Sequence, residues 1–134
     1  MPTPILQAER TLTELDFARL SSLAGRQLPS ELEALLDSAD VTASRAVPAN
    51  VVTMYSRVEL VDVHTRRRQV LTLCYPADAA PAAGFISVLS PVGSGLIGLK
   101  LGQVARWSTP TGEEGAAEIV DILFQPEASG DYLT

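Results

Sequence analysis

The sequence predicts an α+β fold, a short helical hairpin followed by an antiparallel sheet with one short helix. Three observations predict it. Residues 11–41 are rich in Leu, Ala and Glu and space their apolar residues as a helix does. Residues 50–124 are rich in Val, Ile, Thr and Gly and fall into strand-like runs. Between them, Thr42-Ala43-Ser44-Arg45-Ala46-Val47-Pro48-Ala49-Asn50 is small and polar with one proline, as a linker is. Hydrophobic residues make up 46% of the chain and aromatics only 5%, so a core is expected and it must be aliphatic.

The first helix has a start signal. Thr11 with Glu14 three residues on makes a capping box, and Leu12, Leu15, Leu20 and Leu23 form an apolar face on which Asp16 and Arg19 intrude. Gly25 is a stop signal. The second helix starts near Ser30, with Glu33 three on, and Leu32, Leu35, Leu36 and Ala39 keep the i, i+3, i+4, i+7 spacing. The short link between the helices makes them antiparallel neighbours, each arm about 18 Å long.

In the second part, Arg57 to Val63 and Arg68 to Tyr75 are strand-like and flank a hairpin turn at His64-Thr65-Arg66-Arg67. Pro76 to Gly84 is loop, and Phe85 to Leu89 is a short apolar strand. Ser90-Pro91 is a helix N-cap followed by proline at the first helical position, and Gly98 and Gly102 keep that helix short. Val104 to Ser108 and Ala116 to Phe124 are the last strands, around the turn Thr109-Pro110-Thr111-Gly112. The division expected is residues 1–45 for the helical hairpin and 46–134 for the sheet domain.

Charge and cysteine usage narrow the function. Ten basic against 16 acidic residues give a net charge of −6, which argues against a nucleic-acid coat, since phosphate binding needs a basic footprint. The single cysteine, Cys74, cannot form an intrachain disulfide, and a reducing compartment fits. Met1-Pro2-Thr3-Pro4-Ile5-Leu6 lacks the basic and apolar regions of a leader, and no apolar run approaches the ~18 residues of a membrane span. A soluble, cytoplasmic protein is expected.

Several constellations have two readings. Gly93-Ser94-Gly95-Leu96-Ile97-Gly98 has the G-x-G-x-x-G spacing of a dinucleotide loop, but that loop needs a full crossover helix and a parallel strand, and Gly102 leaves no room for them. Glycines that allow close packing are the simpler account. His64 and Cys74 could pair as base and nucleophile, yet they fall at opposite ends of one hairpin arm. Arg66-Arg67-Arg68 could meet phosphate or an acidic protein surface, or be a solvated turn. Glu31, Glu33, Asp37 and Asp40 could hold a metal near the hairpin tip, or form a solvated helix face, and Glu113-Glu114 reads as turn solvation. With no convergent titratable cluster, no catalytic residue, metal site or cofactor is expected.

The run Phe85-Ile86-Ser87-Val88-Leu89-Ser90-Pro91-Val92-Gly93-Ser94-Gly95-Leu96-Ile97-Gly98-Leu99-Lys100, continued by Gly102-Gln103-Val104, resembles the C-terminal domain signature of bacterial Gre transcript-cleavage factors. Val51-Val52-Thr53-Met54-Tyr55-Ser56-Arg57-Val58 and Phe124-Gln125-Pro126-Glu127-Ala128-Ser129-Gly130-Asp131-Tyr132-Leu133 resemble the branch formed by the regulators of nucleoside diphosphate kinase (Rnk). Thr72-Leu73-Cys74-Tyr75-Pro76-Ala77 fits that branch too.

The resemblance implies an FKBP-like twisted sheet wrapped on a short helix, and a partner, RNA polymerase, met near its secondary channel. It implies docking through Ser90 and Pro91 with Val92 and Gly93 beside them. Leu89 stands where some Gre proteins carry an acid. In Gre factors a long coiled coil presents acidic tip residues to a catalytic metal ion. Here the expected tip holds Arg26 and Gln27, with Glu31 the nearest carboxylate. A non-catalytic regulator that competes with Gre factors is therefore expected, a monomer or weak dimer with no sequence-specific nucleic-acid contact. The alternatives are a cleavage factor using Glu31 and Glu33, and an FKBP-like prolyl isomerase, for which seven aromatics are few and Trp107 and Phe85 read as core or partial-core residues.

Overall fold

The structure is a computed structural model and describes residues 10–23, 30–109 and 111–130, with Ser30 and Glu31 described by their backbone alone. The first part holds β1 (Thr11–Thr13), α1 (Glu14–Ser22), α2 (Ser30–Ser38) and β2 (Asp40–Thr42). The second holds β3 (Arg57–Asp62), β4 (Arg68–Cys74), β5 (Phe85–Ser87), α3 (Pro91–Leu96), β6 (Val104–Ser108) and β7 (Glu114–Phe124).

The second part forms a five-stranded sheet in the order β5-β4-β3-β7-β6. Alternation sets its two faces: Val58 and Leu60 of β3 and Leu71 and Leu73 of β4 are buried, while Arg57, Arg68 and Val70 are exposed. β3 pairs with β7 with register shifts at Arg57/Val58 and Glu59/Leu60, irregularities that bend a long strand and curl the sheet.

One pairing departs from expectation. β5 runs parallel to β4, with Thr72 opposite Phe85 and Cys74 opposite Ser87. Two proline-led 3-10 turns, Pro76–Asp78 and Pro81–Ala83, carry the chain back alongside β4 to a point opposite Thr72. It therefore re-enters the sheet in the same direction. The strand also stops at Ser87 rather than Leu89, because the Ser87 hydroxyl accepts from the Leu89 N–H at 3.0 Å.

The first part holds a second departure. β1 and β2 pair in parallel, Thr11 with Asp40 and Thr13 with Thr42, in a region expected to be wholly helical. Thr11 lies in β1, so the helix cap moves two residues on, and the Thr13 hydroxyl accepts from the Asp16 N–H at 3.0 Å. Asp16 and Leu20, one turn apart, form the inward face of α1, so the acid that intruded on the leucine pattern belongs to the buried side. The expected stop at Gly25 and the link to α2 lie outside the described residues.

Both parts share one core. Leu12, Leu20, Leu32 and Leu35 meet Val52 and Met54, the sheet residues Val58, Leu60, Leu71, Leu73, Ala105, Ala117 and Ile119, and Leu96 and Ile97 at the end of α3. Each fully buried leucine contributes roughly 1.5–3 kcal/mol, an upper bound set by an extended unfolded chain. The connector is held on several sides. The Val52 N–H donates to Leu99 O and the Gly98 N–H to Val52 O, both at 2.8 Å, and Gln125 Nε2 donates to Pro48 O and Val51 O at 2.9 and 2.8 Å. Among the described residues no helix is long and apolar enough to cross a membrane.

Candidate docking site

Residues Ser87–Ser94, the turn from β5 into the first turn of α3, are held largely by their own hydrogen bonds. The Ser90 hydroxyl donates to Ser87 O at 2.7 Å and accepts from the Gly93 N–H at 3.1 Å, so it closes the loop and caps the helix at once. The Ser90 N–H also donates to Ser87 O, and the Ser94 hydroxyl donates to Val88 O at 2.8 Å. Pro91 occupies the first turn of α3, where its missing N–H costs nothing. Leu89, Ser90, Pro91 and Val92 are half-buried, so each still shows a face to solvent, and Gly93 is buried.

The glycines of the G-x-G-x-x-G run have packing reasons. A Cβ on Gly93 would lie 2.1 Å from Ser87 O, and one on Gly95 2.9 Å from Arg106 O. Gly98 takes φ +83 at the end of α3. Arg10 caps that end, donating from one guanidinium nitrogen to Ser94 O at 3.1 Å and to Ile97 O at 2.8 Å. Burial lowers the Arg10 pKa. The strand that follows, β6, is antiparallel to its neighbour, so no dinucleotide crossover exists here.

The other candidates are placed as follows. Arg26 and Gln27 lie outside the described residues, and Glu31 is placed in α2 by its backbone only. Glu33 and Asp37 on α2 and Asp40 on β2 are exposed, and among the described residues no three His, Cys, Asp or Glu side chains gather as metal ligands would. His64 is exposed in the β3–β4 turn while Cys74 is buried, its thiol pushed up by that burial, so they make no catalytic pair. Glu113 and Glu114 are exposed, and Glu114 opens β7 rather than lying in a turn. Phe85 is 38% exposed, not core, because it faces outward on edge strand β5. Trp107 is half-buried and lies against Gly115, where a Cβ would fall 2.3 Å from its ring.

Beside the loop, the inward sheet face is open. A cavity of about 480 Å³ is lined by Leu60, Leu71, Ile86, Val92, Trp107 and Ala117, with Asp62, Thr65, Arg67, Arg68 and Gln69 along one side. Trp107 is the one aromatic among these lining residues.

A buried polar cluster escaped sequence reasoning. Thr53-Met54-Tyr55-Ser56 turns sharply, with Tyr55 in the left-handed region at φ 66. The Met54 N–H donates to Asp16 Oδ2 at 3.1 Å, the Thr53 hydroxyl donates to Glu127 Oε1 at 2.6 Å, and the Ser56 hydroxyl accepts from the Thr53 N–H at 2.9 Å. Among the described residues, Asp16 Oδ1 is buried without a hydrogen-bond partner. Burial first, then the nearby Glu127 carboxylate, pushes the Asp16 carboxyl up to about 6 against the bonds from Met54 and Thr13. The Tyr55 hydroxyl donates to Asp78, and burial with that carboxylate pushes the phenol up to about 12. The signal that could have found this cluster was Asp16 itself, an acid on a leucine face.

Comparison with known proteins agrees with the fold. Residues 47–124 match the model of the family described as "Transcription elongation factor, GreA/GreB, C-term". Over 128 residues, 91% of this chain and 94% of that protein, the sequence is 36% identical to the regulator of nucleoside diphosphate kinase of Escherichia coli K12. It is 31% identical over 96 residues to the transcription elongation factor GreA of Beijerinckia indica, covering 72% of this chain and 60% of that one. A solved structure, the prokaryotic transcription elongation factor GreA/GreB from Nitrosomonas europaea, superposes with a TM-score of 0.72 at 34% identity, over 88% of this chain and 100% of that one. The chain therefore belongs to the GreA/GreB C-terminal domain family, in the branch of the regulators of nucleoside diphosphate kinase.

Proposed function

We propose that this protein is a non-catalytic transcription regulator that docks on RNA polymerase at the rim of the secondary channel and competes there with Gre-type elongation factors. The observation that carries this reading is the Leu89–Gly93 loop. It is closed by the Ser90 hydroxyl, fixed by a proline and a glycine, and still half-open to solvent at Leu89, Ser90, Pro91 and Val92. A surface set in one shape before binding loses little entropy on association. Family membership supplies the class of partner.

Occupation without cleavage fits the helical part. α2 has nine residues, about 14 Å of helix, and its described acids, Glu33 and Asp37, belong to no group of three or more ligand-type side chains among the described residues. Leu32 and Leu35 turn into the shared core, so α2 is held against the body of the protein. The protein would act from the cytoplasm, without a cofactor, as a monomer or weak dimer. An effect on nucleoside diphosphate kinase would follow indirectly, through transcription.

The test is binding of the purified protein to core RNA polymerase with a Gre factor as competitor. Mutual displacement is expected. Ser90→Asp and Pro91→Ala should weaken binding roughly tenfold or more, the scale of a central interface residue, while leaving the fold intact. Folded variants that bind as the parent does would refute the docking loop, and absence of binding at saturation would refute the partner.

A further inference from the structure

We infer that the outer face of the five-stranded sheet is a self-association surface, on which Phe124 of each copy of this chain seats in the groove beside Phe85 of the other. Register sets what this face presents. Phe85, Thr72, Arg57 and Phe124 lie opposite one another on β5, β4, β3 and β7, so they form one row across four strands. Val70 and Asp121, both opposite Glu59, belong to the next row. The chain has three phenylalanines. Phe17 packs against the core, whereas Phe85 and Phe124 are 38% and 46% exposed. One exposed apolar side chain is ordinary. Two aromatic ones in one row, with exposed Val70 beside them, make a patch of the kind that another protein covers.

Shape selects a second copy as the occupant. A groove of about 300 Å³ lies along the outer side of β4 and β5, with Val70, Thr72, Ala83, Phe85 and Arg57 among its lining residues, and has room for a phenyl ring. Phe124 cannot fill the groove of its own copy, because it stands two strand spacings, about 10 Å, from Thr72 on the same sheet. A two-fold axis running along the strands between β4 and β3 lays β7 of one copy over β5 of the other, and the same rotation fills both grooves. Charge agrees with shape. Glu59 pairs with Arg68 at 3.3 Å, while Arg57 and Asp121 are exposed and form no ion pair among the described residues. A foreign surface of one sign would set like charges against one of them. A second copy offers an acid to the unpaired base and a base to the unpaired acid. The row spans three strand spacings, about 14 Å, which places the face at the small end of specific interfaces, about 1,200 Å² in total or less, so the dimer is weak. No residue of the docking loop lines this groove, and the inference stands apart from the polymerase reading.

The test is sedimentation equilibrium of the purified full chain, which should show monomer and dimer in exchange with a Kd on the order of 100 μM. Phe124→Asp should weaken association roughly tenfold or more, with an unchanged urea midpoint, since Phe124 is exposed in the monomer. Cross-linking fixes the geometry whatever that variant does to stability. Ala83 lies beside β5 and Phe124 on β7, too far apart within one copy for a disulfide. Mild oxidation of an equal mixture of Ala83→Cys and Phe124→Cys proteins should therefore join one of each, in preference to two of either kind. A parent chain that stays monomeric across the concentration range would overturn the inference. So would association that Phe124→Asp leaves unchanged, or a mixture that shows no preference for the mixed pair, since either outcome puts the contact on another surface.

Discussion

Two short irregular segments show what a family signature can mean. Ser87–Ser94, which runs into the first turn of α3, and Val51–Ser56 both have sequences that mark the family. The first satisfies its three serine hydroxyls within itself and leaves five residues half-open. The second is buried almost throughout and spends its polar groups on distant partners: Met54 on Asp16 in α1, Thr53 on Glu127 near the C-terminus. On the function proposed above, the loop is what another protein recognises, through the faces it leaves half-open. The buried turn holds three remote parts of one chain together, so its signature residues record folding rather than binding.

The sharpest way to break this contrast is to damage the loop from inside. Gly93→Ala places a methyl 2.1 Å from Ser87 O, and backbone offers no slack. A loss of about 3 kcal/mol or more, read as a shift in urea midpoint, is expected together with loss of polymerase binding. A Gly93→Ala protein as stable as its parent would show that the loop is not rigid.

The buried turn should instead report through pH. The Asp16 carboxyl titrates at about 6 in the folded chain against an ordinary 3.8, so the native state holds an extra proton between those values. Stability contributed by this group is therefore greatest below its ordinary pKa and declines as pH rises through about 6, a fall of roughly 3 kcal/mol at most. Asp16→Asn keeps an acceptor for the Met54 N–H and removes the charge. It should stabilise the protein near neutral pH by roughly 1–3 kcal/mol and flatten the slope, as measured by chemical denaturation across that range. Polymerase affinity should not change.

The smallest effect separates cap from contact. Ser90→Ala removes the hydroxyl that caps α3 and should cost about 1 kcal/mol of stability. Glu127→Gln keeps an oxygen for Thr53 and removes a negative charge near Asp16, so the pH-dependent decline should move to lower pH with little change in midpoint at low pH.

Legibility followed the range of the interactions. The strands of the sheet, α3 and its cap could be read because alternation, the Ser-Pro pair and the terminal glycine are local signals. β1 and β2 could not, since three residues carry no period and each exists only through the other. Asp16 looked like a flaw in an apolar face because its partner stands 38 residues away, and the Thr53–Glu127 bond spans 74. The arginine run was visible as charge, but only folding sets it beside Trp107 and an open apolar floor.

The parallel pairing of β1 with β2 has a consequence for how such proteins vary. Thr11 faces Asp40 and Thr13 faces Thr42, so the chain leaves for its helices at Thr13 and returns at Asp40, two residues back along a ladder whose strands lie about 4.8 Å apart. That pair is a socket with fixed terminals. What is plugged into it can grow or shrink at little entropic cost, because closure entropy rises only slowly with loop length. A helical arm of different reach could be grafted between Thr13 and Asp40 while the body below keeps its register, which makes the reach of this protein an interchangeable part.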